Sequence, residues 1–278
     1  MPPVVILCGG RGTRLRERTE SIPKALVEIG GRPILWHIMK IYASFGCRRF
    51  ILCLGYKGDQ IRRCFTGRRG AVPRLATVSS ARGSLGTPPP DEVQGGSARG
   101  AVGMEDTVEH REAGQTWTIT FADTGVDTNS GGRLARIVPR LEASLAFVTY
   151  GDGLARIDLE ELLAFHESHR RLATVTCVRP ACPFGVVEVG GEDQVTAFRE
   201  KPPMRDWVNG GFFVFDRQAL DGFGDDEVLE REPLERLTRA GQLSAYRFDG
   251  FWMCMDTYKD AQQLNVLWER GEAPWKIW

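Results

Sequence analysis

Hydrophobic positions along this chain form two kinds of pattern: short continuous apolar runs, and longer stretches in which apolar residues recur at helical spacing. The first run, residues 3–8, ends in glycines, which is typical of a β-strand buried on both faces. Pro33 then begins a helix at its first position, apolar residues recur every three or four positions after it, and Gly46 ends it.

The same alternation predicts elements along the rest of the chain. Strands are predicted at 50–54, 117–122, 145–150, 173–178, 186–189, 195–198 and 212–215. Helices are predicted at 59–65, 158–169, 227–240 and 258–270. Thr257 would cap the last helix and Gly271 would end it. Strands that alternate with helices predict an α/β fold with a Rossmann-like mixed, mainly parallel sheet flanked by helices.

Residues 66–116 interrupt this pattern with a stretch rich in Gly, Pro, Arg and Ser. A structureless loop of that length is uncommon inside a compact domain, so we expect part of it to form short strands that the pattern does not place. Since the sequence shows no internal repeat and no linker, we predict a single domain over residues 1–278 with an irregular insertion at about 66–116.

Charge narrows the choice of partners. The chain carries 36 basic and 36 acidic residues, whereas a protein that binds nucleic acid through its phosphates usually has a basic surplus. Basic side chains nevertheless cluster near the N-terminus, at Arg11, Arg14, Arg16, Arg18 and Lys24. Such a cluster favours a small anionic ligand over a polymer.

The apolar runs and the cysteines indicate in which cellular compartment the protein is expected. No apolar run approaches the ~20 residues of a membrane span, and the N-terminus lacks the pattern of a signal peptide. The seven cysteines are scattered, mostly inside apolar runs, with no zinc-like spacing. Buried free cysteines suit a reducing environment. We therefore expect a cytoplasmic protein that binds neither nucleic acid nor membrane.

A glycine-rich loop follows the first predicted strand and is the first motif that carries chemistry. It reads Leu7-Cys8-Gly9-Gly10-Arg11-Gly12-Thr13-Arg14-Leu15. Glycines let a backbone approach a phosphate closely, and arginines supply forked donors for its oxygens. Leu15 stands where the dinucleotide motif requires its third glycine, and the P-loop pair Gly-Lys is absent here. A plain tight turn is the alternative, but ligands of open α/β sheets bind at this strand end.

The loop and several later motifs resemble the nucleoside-diphosphate-sugar pyrophosphorylases, and in particular their cytidylyltransferase branch. The motifs are Gly9 to Leu15, Pro23-Lys24, 27–40, Asp123-Thr124-Gly125, 130–134, 149–153, 198–202, 209–213, 250–252 and 267–276. The similarity runs from end to end in the right order and is weak only across about 66–116. It implies the nucleotide-diphospho-sugar transferase fold and a sugar-1-phosphate nucleotidyltransferase that joins CTP to glucose 1-phosphate and releases pyrophosphate.

In such a reaction a sugar-phosphate oxygen attacks the α-phosphorus of a nucleoside triphosphate. Two anions must meet, so catalysis needs positioning and cationic charge more than proton transfer. The resemblance implies a Mg²⁺ ion held by Asp152 and Asp256. From the residues alone, Asp152 could equally be a turn aspartate and Asp256 a helix cap.

The resemblance also implies roles for other residues. The expected catalytic residues are Arg14, which would hold the triphosphate, and Lys24, which would offset charge in the transition state. The expected nucleotide-binding residues are Leu7, Cys8, Gly9, Gly10, Arg11, Gly12, Thr13, Arg14, Thr128, Arg133 and Gly151. The expected sugar-phosphate-binding residues are Lys24, Glu200, Lys201, Asn209 and Gly210. Relatives also lead us to expect a homo-oligomer.

Three alternatives stay open from the sequence. The same reaction could use dTTP or UTP, because base choice depends on a few loop contacts. A non-catalytic nucleotide-binding subunit could keep the fold, although Arg14, Lys24, Asp152 and Asp256 are all present. An NAD-dependent dehydrogenase is disfavoured by Leu15. The pair His166 and His169 could ligate a metal, but the charges around it predict a solvated helix face instead.

Overall fold

The computed structural model describes residues 1–12, 21–66 and 106–278. The strands, numbered in chain order, are β1 Val4–Leu7, β2 Glu28–Ile29, β3 Arg32–Pro33, β4 Arg49–Leu54, β5 Asp106–Glu112, β6 Gln115–Asp123, β7 Leu145–Tyr150, β8 Gly153–Ala155, β9 Ala173–Val178, β10 Val186–Val189, β11 Val195–Arg199, β12 Val208–Asn209, β13 Phe213–Asp216, β14 Leu243–Arg247 and β15 Trp252–Cys254. The α-helices are α1 Ile34–Ser44, α2 Gly58–Thr66, α3 Ser130–Ile137, α4 Leu159–His169, α5 Arg217–Asp221, α6 Glu232–Arg239 and α7 Tyr258–Glu269. None of the helices among these residues is long and apolar enough to cross a bilayer.

One large mixed sheet organises the described residues, in the order β12-β9-β13-β7-β1-β4-β6-β5, with β14 also paired to β9. Strands β7, β1, β4 and β6 run parallel to one another. Strand β13 is antiparallel to both β7 and β9. Three small ribbons among the described residues, β2 with β3, β8 with β15 and β10 with β11, lie outside this sheet. The predicted mixed, mainly parallel sheet flanked by helices is confirmed.

Hydrophobic cores cover both faces of the sheet, because successive strand residues point to opposite sides. On β1, Val4 and Ile6 pack into one core and Val5 into the other. The first core is covered by α1, α2, α4 and α7, and the second by α3, α5 and α6. Burial on both faces explains why the central strands read as continuous apolar runs.

Local signals define the helix ends that matter for the site. Asp158 caps α4 by accepting from the backbone N–H groups of Glu160 and Glu161, as its position predicts. Thr257 caps α7 in a capping box with Asp260, whose carboxylate accepts from the Thr257 N–H. Gly271 follows α7 at φ +70°, the left-handed conformation that ends helices and that glycine adopts without strain.

Two predictions differ from the structure. The helix predicted at 227–240 begins only at Glu232, because the preceding backbone is committed elsewhere: the Glu227 carbonyl accepts from the Gly132 N–H. His166 is buried rather than solvated, and its Nδ1 lies 2.9 Å from the Thr174 hydroxyl. Charged residues follow His166 in the sequence, so the sequence pattern does not reveal that its side chain faces the core.

The stretch predicted as irregular contains one strand in its described part, β5, which forms an antiparallel hairpin with β6. Residues 67–105 lie outside the described residues. The single domain over 1–278 with its insertion therefore stays a prediction.

Candidate active site

The loops that follow β1, β4, β6 and β7 meet at one edge of the sheet, because these strands are parallel. They begin at Cys8, Gly55, Thr124 and Gly151. The described part of the glycine-rich loop, residues 7–12, thus lies beside the loop that carries Asp152, as its place after β1 predicts.

A buried arginine joins three of these loops. The Arg133 guanidinium, only 4% exposed, donates to the carbonyls of Gly9 at 3.1 Å, Leu54 at 2.9 Å and Gly125 at 2.8 Å. It also donates to the Thr124 hydroxyl at 2.7 Å. A Cβ on Gly9 would collide with the guanidinium, so glycine is required there. Arg133 therefore positions the loops. Its guanidinium is bonded to backbone carbonyls of the protein and is shielded from solvent.

The two aspartates predicted as metal ligands lie together, with Lys24 between them. The Lys24 ammonium is 2.5 Å from Asp152 Oδ2 and 2.8 Å from Asp256 Oδ1. The lysine comes from a short 3₁₀ turn, Lys24–Leu26, while the aspartates lie 104 positions apart in the chain. Three distant segments therefore converge on one charged cluster.

Backbone pairing brings the aspartates together. β8 and β15 form an antiparallel ribbon, with Gly153 opposite Cys254, and the Met255 N–H donates to the Asp152 carbonyl at 2.9 Å. The Asp256 N–H donates to the Asp260 carboxylate at 3.0 Å. Asp256 thus precedes the helix cap, Thr257, and its side chain is directed to Lys24 instead of capping α7.

Protonation states follow from this cluster. Burial alone would lower the pKa of Lys24, but the hydrogen-bonded Asp152 and Asp256 outweigh burial, and the net pKa is raised. The ammonium stays charged at neutral pH. Burial, and then the negative charge of Asp152, raises the pKa of the Cys254 thiol. Burial likewise raises the pKa of Cys8, so neither thiol serves as a thiolate nucleophile at neutral pH.

The cluster fits a divalent cation. Ligand atoms of Asp152, Cys254 and Asp256 lie within 4.8 Å of one another, and the space between the two carboxylates already holds the Lys24 ammonium. Mg²⁺ prefers one or two carboxylates together with phosphate and water oxygens. The two aspartates are therefore the residues that would hold such an ion.

A cavity of about 270 Å³ opens over this cluster. Its lining joins the glycine-rich loop to the charged residues: Leu7, Cys8, Gly10, Gly12, Lys24, Ala25, Gly151, Asp152 and Asp256. A Cβ on Gly151 would lie 3.2 Å from the Leu7 carbonyl, so the two loops pack closely. The structure thus brings five predicted nucleotide-binding residues to the edge of the predicted metal site.

The other predicted nucleotide-binding residues have different surroundings. Arg11 is exposed and pairs with Asp127 at 2.7 Å, which links the glycine-rich loop to the loop after β6. The Thr128 hydroxyl accepts from Arg136 at 2.7 Å. Thr13 and Arg14 lie outside the described residues. The nucleotide roles of all of these stay predictions.

The predicted sugar-phosphate residues form two separate groups. Asn209 ends β12 and Gly210 follows it. The Gly210 carbonyl accepts from the Trp252 indole at 2.7 Å, which ties these two residues to the ribbon of Cys254. Glu200 and Lys201 follow β11 and pair with each other at 3.4 Å. Among the described contacts, neither of these two bonds to the Lys24 cluster.

Sequence reasoning missed several residues around the site. Cys254 adds a thiol beside both aspartates. Tyr150 and Glu230 form a hydrogen bond next to Asp152. The position of Tyr150 directly before Gly151 could have drawn attention to it. No local signal marks Glu230, because it reaches the site from a turn about 80 residues later in the chain.

Comparisons with known proteins agree with this geometry. The chain matches the nucleotidyl transferase family over residues 98–260 and the MobA-like NTP transferase domain over residues 4–87. It is 40% identical to a probable glucose-1-phosphate cytidylyltransferase of Bacillus subtilis, covering 99% of each chain. It is 39% identical to the glucose-1-phosphate cytidylyltransferase of Salmonella typhimurium, covering 99% of this chain and 98% of that one.

A solved structure shows the same fold. The crystal structure of HddC from Yersinia pseudotuberculosis complexed with GMP-PN superposes with a TM-score of 0.67 at 19% identity, covering 96% of this chain and 100% of the other. The sheet is therefore that of the nucleotide-diphospho-sugar transferase fold, as the sequence motifs imply. With relatives of this identity over its full length, the chain belongs to the nucleotidyl transferase family and groups within it with the glucose-1-phosphate cytidylyltransferases.

Proposed function

We propose that this nucleotidyltransferase transfers the cytidylyl group of CTP to α-D-glucose 1-phosphate, which forms CDP-glucose and releases pyrophosphate. The observation that carries the proposal is the contact of Lys24 with Asp152 and Asp256 at the rim of a cavity lined by the glycine-rich loop. The full-length relatives named for this reaction support CTP and glucose 1-phosphate as substrates.

The reaction needs one bond to form and one to break. A phosphate oxygen of the sugar attacks the α-phosphorus of CTP, the bridging bond to the β-phosphate breaks, and pyrophosphate leaves with the electron pair. The glycines of the loop after β1 let the backbone approach the triphosphate, and Lys24 offsets the negative charge that gathers at the α-phosphate. We assign Arg14 to the triphosphate, on the motif alone.

We propose Mg²⁺ as the cofactor, held by Asp152 and Asp256. A bound divalent cation would screen the repulsion between the two anionic substrates and orient the triphosphate. The Lys24 ammonium, a cation held between the two carboxylates, supports this assignment.

Pyrophosphate release tests the proposal directly. The full chain is incubated with glucose 1-phosphate and, in turn, CTP, UTP, dTTP or GTP, in Mg²⁺ with and without EDTA. We expect the largest turnover with CTP and its loss with EDTA. A preference for dTTP or UTP contradicts the base assignment, and activity that survives EDTA contradicts the metal. No release with any triphosphate would identify a non-catalytic subunit instead.

We further propose a cytoplasmic homo-oligomer. All seven cysteines are free, which supports a reducing compartment.

Large apolar side chains are exposed on or beside the β10–β11 ribbon: Phe184, Val187, Val189, Val195 and Phe198. Exposed apolar side chains that share one ribbon support a contact between protein surfaces there. Sedimentation velocity measures the assembly, and a single monomeric species at micromolar concentration would contradict it.

A further inference from the structure

Tyr150 connects the metal-site loop to the predicted sugar side. It is the last residue of β7, directly before Gly151 and Asp152. Its hydroxyl accepts a hydrogen bond from Asn209 Nδ2 at 3.0 Å and donates one to Glu230 Oε1 at 2.5 Å. A phenol hydroxyl has one hydrogen to donate and lone pairs to accept with, so both contacts can form at once.

The orientation of the Asn209 amide follows from its second contact. Asn209 Oδ1 accepts from the Gly211 N–H at 2.9 Å, so Nδ2 is the atom that meets Tyr150. A Cβ on Gly211 would lie 3.0 Å from the Tyr150 ring, which shows how closely the two segments pack. An amide has two donor hydrogens and two acceptor lone pairs. Among the contacts of the described residues, one amide donor and one acceptor therefore remain, a pairing that suits a sugar hydroxyl.

Glu230 connects this pair to the nucleotide side. Its Oε2 accepts from the Ser130 hydroxyl at 2.9 Å, and that hydroxyl accepts from the Leu229 N–H at 2.9 Å. Ser130 is the first residue of α3, the helix that carries Arg133. The carboxylate of Glu230 is thus bonded at one oxygen to the tyrosine and at the other to the start of α3.

We propose that Glu230 is a positioning residue for the sugar-phosphate subsite: through the Tyr150 hydroxyl it sets the orientation of the Asn209 amide, and through Ser130 it joins that amide to α3. The inference rests on the proposed function, in which Asn209 meets the sugar phosphate. Without the Tyr150 hydroxyl, the Asn209 amide loses one of its two internal partners. Without Glu230, that hydroxyl loses the acceptor that orients it toward Asn209, and in both cases the amide samples other orientations.

Kinetics of single and double variants test this relay. The variants are Glu230→Ala, Glu230→Gln, Tyr150→Phe, Asn209→Ala and Tyr150→Phe combined with Asn209→Ala. Glu235→Gln on α6 is the matched control, because that glutamate is exposed and pairs only weakly with Arg239, at 4.0 Å. Each protein is assayed for pyrophosphate release with glucose 1-phosphate and CTP varied separately, and for glucose 1-phosphate binding by calorimetry.

We expect Glu230→Ala and Tyr150→Phe to raise the KM for glucose 1-phosphate by roughly three- to tenfold, the effect of one lost hydrogen bond. The KM for CTP should stay within about twofold. Glu230→Gln should recover part of the loss, because its amide oxygen still accepts from Tyr150. Tyr150→Phe should add nothing in the Asn209→Ala background, since its effect passes through Asn209.

Three results would overturn the relay: equal rises in KM for both substrates, a fall in melting temperature with unchanged KM, or additive effects of Tyr150→Phe and Asn209→Ala. Calorimetry separates this inference from the proposed function. If the wild-type chain binds glucose 1-phosphate but releases no pyrophosphate, the proposed reaction is wrong, and the variants' affinities still decide the relay. A wild-type chain that does not bind glucose 1-phosphate contradicts both.

Discussion

At the scale of single residues, Lys24 is the centre of the site. Its ammonium lies where a cation would sit between Asp152 and Asp256, yet in the proposed reaction it must meet phosphate oxygens. A bound divalent ion and the lysine would therefore compete for the same carboxylate oxygens. Binding of the ion would release Lys24 toward the triphosphate, so we expect the roles of the metal and the lysine to be coupled.

We predict that Asp256→Asn lowers turnover in Mg²⁺ by about two orders of magnitude or more, because the amide removes one of the two carboxylates that would hold the ion. The fold should persist, since Asp152 still pairs with Lys24. Pyrophosphate release and a melting curve measure the two effects. Asp249→Asn, at an exposed aspartate paired with Arg179, is the control. Full activity of the Asp256 variant would exclude this residue from the metal site.

Arg133 is a predicted nucleotide-binding residue whose buried guanidinium donates to the protein's own loops. We predict that Arg133→Lys lowers the free energy of unfolding by about 2–4 kcal/mol, since one ammonium cannot serve acceptors on three loops. Urea unfolding measures the loss. Arg140→Lys should change stability little, because Arg140 is exposed on a 3₁₀ turn. Equal stability of the two variants would contradict the positioning role.

These residues show what the sequence can reveal about a site. Asp152 and Asp256 are predicted as metal ligands only through the family resemblance of their motifs, because a glycine-flanked strand end and a helix start also suit a turn aspartate and a helix cap. Their contact depends on the β8–β15 ribbon, whose strands have three residues each and carry no periodic signal. The partners of Arg133 are backbone carbonyls, which no side-chain motif records.

At the scale of elements, the turn before α6 holds the start of α3. The Gly132 N–H donates to the Glu227 carbonyl at 3.1 Å, and the Asn129 side chain donates to the Asp226 carbonyl at 3.1 Å. Since α3 carries Arg133, the position of this turn affects the loops that line the cavity. The turn also contains Glu230, so it contacts both sides of the site.

We predict that Gly132→Ala separates these elements, because the added Cβ would collide with the Asp225 carbonyl. The expected cost is about 1–3 kcal/mol of unfolding free energy, as for other overpacked positions, together with weaker substrate binding. Chemical denaturation and KM measure both. Gly191→Ala is the control, since a Cβ there meets nothing within 4 Å. A Gly132 variant as stable as this control would show that the turn before α6 shifts at little cost to make room for the added Cβ.

Elements differ in how far the sequence predicts them. The bounds of β7, β9 and β10 agree with the predicted ranges, because each is a bounded apolar or alternating run. The β2–β3 hairpin was not predicted, since strands of two residues have no periodicity. Strand β14 was not predicted either, because it joins the large sheet only through its pairing with β9, seventy residues earlier in the chain. Pairing between distant segments is a tertiary property that local patterns do not contain.

At the scale of the whole molecule, the C-terminal segment closes the core beneath α1. The buried His37 lies at this junction: its Nε2 is 2.8 Å from the Ile29 carbonyl, and its Nδ1 accepts from the Trp275 indole at 3.3 Å. Donation by Trp275 requires an unprotonated Nδ1, so the ring is neutral with its hydrogen on Nε2. Protonation would place two N–H groups against each other in the core.

This junction makes the stability of the molecule depend on pH. Burial is the largest cause that lowers the pKa of His37, to about 4 in the folded chain against 6.5 for an ordinary histidine. The unfolded chain therefore binds the proton more readily, so the stabilisation is complete above pH 6.5 and is lost as the pH falls toward 4. This difference between the two pKa values corresponds to about 3 kcal/mol in the free energy of unfolding. Burial also lowers the pKa of His166, which adds a contribution of the same sign.

We predict that urea unfolding of the wild-type chain, measured at intervals from pH 8 to pH 4, shows a steeper loss of stability below pH 6.5 than His37→Gln does. Glutamine can still donate to the Ile29 carbonyl but takes up no proton. At pH 8 the variant should therefore have a lower free energy of unfolding than the wild-type chain, and this difference should shrink as the pH falls. Carboxylate titrations affect both proteins alike and cancel in the difference. Parallel curves for the two proteins would mean that His37 is protonated in the folded core, which would contradict the tautomer that its contact with Trp275 requires.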